Sequence, residues 1–222
     1  MSARPPIRFL FDFLSPYAYL AWTQIGDLAR DFDRPLVLEP VLFGAMLEAF
    51  GTIGPAEVPG KREHTYLDVV RKAALFGVPL VLPPRHPFAP LPALRAATSF
   101  PDPGERARAV AALFGAAWGR GDAIDTPEGV VAALDAAGLP GRAAVDRAST
   151  HEVKAALHRA TSEAIARGVF GVPTCEVDGE RFWGTDSLPS LRAFLRGEDP
   201  ITPEIRARVQ GLPVGIERKR RA

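Results

Sequence analysis

Between Ile7 and Leu28 the apolar pattern changes period abruptly, and the change falls on the dipeptide Ser15-Pro16. Upstream, Ile7 to Phe13 is a short apolar run with charge only at Arg8 and Asp12. Its length and aromatic content predict a buried strand. Downstream, Tyr17, Leu20, Ala21, Gln24, Ile25 and Leu28 keep helical spacing. Serine caps a helix well because its oxygen can accept from a free backbone N–H of the first turn. Proline fits the first helical position, where its missing N–H costs nothing. The chain therefore reads strand, tight turn, helix, with Ser15 on the helix N-terminus. There the free N–H groups and the positive dipole end favour an anion. Ser15 is either a plain cap or a hydroxyl aimed at a bound thiolate, and one geometry serves both.

After the first helix, Leu36 to Phe43 is a second apolar run, so strand, helix and strand form a parallel pair with a right-handed crossover. The character then changes. A short helix over 45–50 and a Gly/Pro-rich loop precede a helical pattern from Lys61 to Phe76, ended by Gly77. Val78 to Pro92 is proline-heavy and reads as extended, and a helix over 91–100 follows. Asp102-Pro103-Gly104-Glu105 is a capping signature before a helix that buries Val110, Leu113, Phe114, Ala117 and Trp118. Thr126-Pro127-Glu128 opens another helix, 142–148 is a short one, and Ser149-Thr150-His151-Glu152 caps the last before Gly168. Strand signals return at Cys175-Glu176-Val177 and Arg181-Phe182-Trp183, joined by the hairpin dipeptide Asp178-Gly179. Thr185 and Asp186 are expected to begin a final helix, and the chain from Gly197 onward is expected to be a tail with a basic end, Glu217 to Arg221.

The 222 residues suffice for one large domain or a domain with a sizeable insertion, and 47% of them are hydrophobic. Lys+Arg number 27 and Asp+Glu 26, which gives no reason to expect nucleic acid or an anionic membrane as partner. No apolar stretch is long enough to span a bilayer, and residues 1–6 are too short and polar for a signal peptide. A single cysteine, Cys175, cannot form an internal disulfide, so a reduced cytoplasmic setting is expected, with Cys175 a buried core thiol. His64, His86, His151 and His158 show no ligand spacing joined to Cys or carboxylates, so no metal site is expected.

The junction at Ser15-Pro16-Tyr17-Ala18, together with Gly171-Val172-Pro173-Thr174, resembles the thioredoxin-like fold. In that fold a strand–helix junction faces a loop containing a cis-proline. The redox members related to DsbA carry Cys-Pro-x-Cys at the junction, and both sulfurs are absent here. Asp12-Phe13-Leu14-Ser15-Pro16-Tyr17 resembles the 2-hydroxychromene-2-carboxylate isomerases and their relatives, the kappa-class glutathione transferases. The resemblance runs from about Ile7 to Leu195. It implies an α/β architecture: a thioredoxin-like domain (β-α-β … β-β-α) over residues 1–44 and 168–200, split by an all-helical insertion over 45–167, with a tail over 201–222.

The resemblance also implies a site. Ser15 would activate the thiolate of glutathione, a cosubstrate that is not consumed. Val172, before Pro173, would pair with the peptide backbone of glutathione, and Thr185 and Asp186 would hold its γ-glutamyl end. Lys61 would take the glycyl carboxylate, and Asp68 would reach a γ-glutamyl end across a homodimer interface. The activity implied is isomerisation of a small aromatic keto acid in aromatic catabolism, with a kappa-class-like transferase or a non-catalytic thioredoxin-like binding module as alternatives. Two departures bear on the second substrate: Thr52 and Ala89 stand where members often have Asn.

Overall fold

The computed structural model describes residues 4–216. Its centre is a four-stranded sheet in the order β2-β1-β3-β4. Strand β1 (Ile7–Phe11) leads through the Ser15 turn into helix α1 (Pro16–Asp31), and the chain returns as β2 (Leu36–Pro40). β1 and β2 are parallel, with Phe9 opposite Leu38 and Phe11 opposite Pro40. Both strands stop earlier than their apolar runs: Val41 N–H makes a last bond to Phe11 C=O at 3.0 Å, and Asp12 C=O is taken by Ser15 N–H at 3.1 Å as the chain turns.

Alternation along β1 sends its side chains to two different cores. Phe9 and Phe11 stack on each other at 5.6 Å on one face, where Phe9 meets Trp22 of α1 and Phe11 meets Phe114. On the other face Leu10 packs with Val41, Met46, Ala164, Val169 and Val172. All three β1 residues are fully buried.

Between β2 and the third strand the chain is helical: α2 (Phe43–Ala49), α3 (Lys61–Phe76), α4 (Leu91–Thr98), α5 (Pro103–Phe114), α6 (Pro127–Ala136), α7 (Gly141–Ala148) and α8 (His151–Ala166). The expected caps are in place, with Asp102 accepting from Glu105 N–H at 2.8 Å and Thr126 accepting from Gly129 N–H at 3.2 Å. Val110, Leu113 and Phe114 of α5 are buried as their spacing requires. The next turn, Gly115–Arg120, widens to π geometry and carries the buried Ala117 and Trp118.

Strands β3 (Thr174–Val177) and β4 (Glu180–Trp183) form the hairpin, with Asp178 at φ 51° and Gly179 at φ 84°, the pair of positive angles that a two-residue turn of this hand needs. β3 runs antiparallel to β1, with Leu10 opposite Thr174. The first compact unit ends at Leu188 and a second begins at Pro189.

Two sequence expectations are corrected here. Thr185 and Asp186 do not open an α-helix. They form a single 3-10 turn, Thr185–Ser187, whose cap is Gly184 at φ 88°, and α9 (Leu188–Leu195) starts after it. The segment after Gly197 is not all tail, since α10 (Pro203–Gln210) forms there with Thr202 as its cap. Every residue of α10 is exposed, including Ile205 and Val209, which stand one turn apart. The basic end, 217–221, lies outside the described residues.

Candidate active site

Ser15 ends the strand–helix turn in an extended conformation and caps α1, its Oγ accepting from Ala18 N–H at 3.2 Å. It is 8% exposed. The hydroxyl proton has no acceptor among the described residues, so Oγ can cap the helix and still donate outward. Pro16 has no N–H to offer, and Tyr17 N–H has no partner among the described residues. One hydroxyl and one amide are thus free at the positive end of a 16-residue helix.

The turn itself is held by three side chains that sequence reasoning did not single out for this task. Asp12, fully buried, accepts Leu14 N–H at 2.9 Å with one oxygen and Phe43 N–H at 3.0 Å with the other. Burial pushes its carboxyl up from 3.8 to about 7, against the pull of those two N–H bonds. Trp118 donates its indole N–H to Phe13 C=O at 2.8 Å. His86 Nε2 lies 2.8 Å from Leu14 C=O, and its Nδ1 lies 2.8 Å from the Tyr66 hydroxyl. A carbonyl only accepts, so Nε2 carries the proton and Nδ1 of the neutral ring accepts from Tyr66. Burial, reinforced by the charge of Arg62, lowers the His86 pKa despite the Leu14 bond and so favours that neutral ring.

The Val172–Pro173 bond is cis. Continuing the β1–β3 register places Pro173 beside Phe11 and Val172 beside Asp12, at the strand end that carries Ser15. Neither the N–H nor the C=O of Val172 has a partner among the described residues. Its neighbours are engaged, Gly171 C=O by the Thr174 hydroxyl at 2.7 Å and Pro173 C=O by Gly184 N–H at 2.9 Å. A Cβ at Gly171 would stand 2.8 Å from Trp183 Nε1, so any larger residue here would displace the indole.

Thr185, 2% exposed, donates its hydroxyl to Tyr17 C=O at 2.7 Å, which ties the 3-10 turn to the first turn of α1. The N–H groups of Thr185 and Asp186 have no partner among the described residues. The Asp186 carboxylate is exposed and adds to the forces that raise the Tyr17 phenol, after burial and the Asp68 hydrogen bond.

Asp68 is drawn to the same place. It accepts from the Tyr17 hydroxyl at 2.7 Å and bridges to Lys72 at 2.8 Å, while the Lys72 ammonium sits 5.0 Å over the Tyr17 ring. Burial alone would raise the Asp68 carboxyl, but Lys72 and Tyr17, with the charge of His64, hold it below the ordinary range. Lys61 opens α3 two turns before Asp68, on the same helix face and about 10 Å along the axis. It is exposed, with no acidic partner among the described residues.

Tyr17 is therefore the hub that sequence reasoning missed: its ring, hydroxyl and carbonyl gather Lys72, Asp68 and Thr185. Cys175 stands apart, buried in β3 with its thiol pushed up to about 12 by desolvation. Among the described residues no group of three His, Cys, Asp or Glu side chains could hold a metal ion, and no helix is long and apolar enough to cross a membrane.

Residues 6–196 match the DsbA-like thioredoxin domain. The chain is 31% identical over 194 residues to a 2-hydroxychromene-2-carboxylate isomerase of Pseudomonas putida, covering 85% of this chain and 93% of that protein. It is 33% identical over 193 residues to the enzyme of that name from Sphingobium xenophagum, 85% and 97% covered. Glutathione S-transferase kappa 1 of Rattus norvegicus is 29% identical over 227 residues, 94% and 100% covered. Among solved structures, a selenomethionine 2-hydroxychromene-2-carboxylate isomerase superposes with a TM-score of 0.79 at 29% identity, covering 86% of this chain and 94% of that one.

Proposed function

Because the chain belongs to the DsbA-like thioredoxin family, and within it to the 2-hydroxychromene-2-carboxylate isomerases, we propose that it is a glutathione-dependent isomerase acting on a small aromatic keto acid. The observation that carries the reading is the Ser15 hydroxyl, whose oxygen caps α1 while its proton is left for a ligand. A hydrogen bond from that hydroxyl to the glutathione sulfur, with the helix dipole, favours thiolate over thiol.

The sulfur adds to the conjugated double bond of a ring-opened aromatic keto acid, and the electron pair moves onto the carbonyl oxygen. The former double bond is then single and rotates. Collapse of the enolate expels the thiolate and restores the double bond in the other geometry, so glutathione returns unchanged. The free N–H and C=O of Val172 suit the cysteinyl backbone of glutathione, as a strand edge suits a peptide. The free amides of Thr185 and Asp186 suit the α-carboxylate of the γ-glutamyl end, and the carboxylates of Asp186 and Asp68 its ammonium. Lys61 is assigned the glycyl carboxylate.

A homodimer in the cytoplasm belongs to the same reading, with α3 at its interface and Asp68 shared between subunits. So does the division into a glutathione-binding domain over 1–44 and 168–200, a helical insertion over 45–167 and a C-terminal segment over 201–222 that carries α10. The likeness to rat glutathione S-transferase kappa 1 favours one second reading, in which the adduct is released and glutathione is consumed. Following 2-hydroxychromene-2-carboxylate by absorbance with limiting glutathione separates the two. Many turnovers per glutathione support the isomerase, and one turnover per glutathione supports the transferase. No dependence on glutathione would remove both.

A further inference from the structure

On the face of the sheet opposite α1, a cavity of about 460 Å³ lies among α4, α8 and the link from β2 to α2. That volume is in the range of small-molecule sites. Leu42, Leu91 and Leu157 give it apolar walls. Arg95 of α4 and His151, Lys154 and His158 of α8 supply the remaining polar lining, and all four are basic.

No carboxylate lines the cavity. Arg8, Arg34, Lys72, Arg167 and Arg181 each bridge to a carboxylate, whereas none of the four cavity residues has an acidic partner among the described residues. Arg95 carries the sharper sign. Its Nε, like those of Arg34 and Arg181, is buried without an acceptor, but unlike theirs its guanidinium makes no ion pair among the described residues, a costly condition for a cationic group. On α8 the other three stand at i, i+3 and i+7, one face of the two turns nearest the positive end of a 16-residue helix. An apolar pocket rimmed by Arg95 and Lys154, two cations with no acidic partner among the described residues, selects a small carboxylate with an apolar body over a bare inorganic anion, because only the former also covers the leucines.

The position has a consequence for Ser15. Leu42 lies two residues past Pro40, at the carboxyl end of the parallel β1–β2 pair, where α/β sheets place their ligands. Its N–H is held by Thr161 of α8, and the next N–H, that of Phe43, is held by the same Asp12 carboxylate that fixes Leu14. A ligand against Leu42 is thus one residue from a bond that shapes the Ser15 turn.

We propose that this cavity binds a small organic carboxylate with an apolar body. The inference stands on the cavity alone and does not require that Ser15 serve glutathione. Calorimetry on the full chain with salicylate, and with sulfate as an anion that lacks the apolar body, tests it. Salicylate is expected to bind once per chain, more tightly than sulfate, and at least roughly tenfold more weakly after Arg95→Gln with Lys154→Gln. Should that pair fail to fold by circular dichroism, Lys154→Glu at an exposed position makes the same test by charge reversal. A crystal soaked in 4-bromobenzoate should show bromine between α4 and α8. Unchanged salicylate affinity in the folded variant, sulfate binding as tightly as salicylate, or bromine elsewhere would overturn the proposal. Competition between salicylate and the keto acid would make the bound carboxylate the reacting substrate, and binding without competition would make it an effector. Either supports the site. Loss of glutathione binding alone, with salicylate still bound, would count against the Ser15 reading only.

Discussion

Ser15-Pro16 at the start of α1 and Thr126-Pro127 at the start of α6 are the same device in two settings. Each pairs a hydroxyl cap with a proline at the first helical position, and each hydroxyl accepts a backbone N–H at 3.2 Å. What differs is the surroundings. The turn before Ser15 is gripped by Asp12, His86 and Trp118, and it faces the unpaired main chain of Val172. Thr126 caps its helix and makes no other side-chain hydrogen bond among the described residues. A cap signature locates a helix N-terminus, and distant clamps make one of them a reactive site.

The comparison breaks most sharply at the hydroxyl itself. Ser15→Ala should slow turnover by roughly 10²–10⁴-fold, the range of a positioned proton-handling group. A loss of about 1 kcal/mol in stability with turnover intact would make Ser15 only a cap.

The clamp beneath it predicts a pH signature. Folding raises the Asp12 carboxyl from 3.8 to about 7, so its contribution is fully present below pH 3.8 and is lost as pH rises towards 7. Denaturation curves should show the wild type losing stability relative to Asp12→Asn across that window, by up to about 4 kcal/mol. Parallel pH profiles would show that Asp12 does not titrate there.

At the γ-glutamyl end, Asp68→Ala should weaken glutathione binding by roughly 10- to 100-fold in calorimetry, the scale of a charge-assisted hydrogen bond. A monomer by sedimentation with full glutathione affinity after this change would reduce Asp68 to a surface partner of Lys72.

His86→Phe keeps a ring against Trp118 and Phe88 but removes the bond to Leu14 C=O, along with the acceptor of the Tyr66 hydroxyl. It should lower kcat by about tenfold with the affinity for glutathione little changed, the cost of one lost hydrogen bond holding the turn. Thr126→Ala is the smallest expected effect, about 1 kcal/mol of stability and no change in turnover.

These differences also explain what was legible in the sequence. Ser15, Pro16, Asp102, Thr126 and Thr150 announce themselves through local chemistry, because a cap bonds an N–H three residues away. The clamps carry no such signal. Asp12 reaches Phe43, His86 reaches Leu14 and Trp118 reaches Phe13 across 31, 72 and 105 residues, and no periodicity links them. Thr185 marks the start of a helix by the same local chemistry, yet its hydroxyl serves Tyr17 C=O, 168 residues away. Helix α10 shows the converse: Thr202-Pro203-Glu204 repeats the cap signature of Thr126-Pro127-Glu128 and Ile205 and Val209 keep helical spacing, yet every residue of the helix is exposed, so local signals can specify a helix that packs no core.

The central claim is that Ser15 donates to a glutathione sulfur and holds it as thiolate. Ultraviolet thiolate absorbance of enzyme-bound glutathione, titrated against pH, measures this directly. With the wild type the bound thiol should ionise well below the value of about 8.5 for a free thiol, and with Ser15→Ala it should return towards that value while glutathione still binds. The same midpoint in both proteins would contradict the claim.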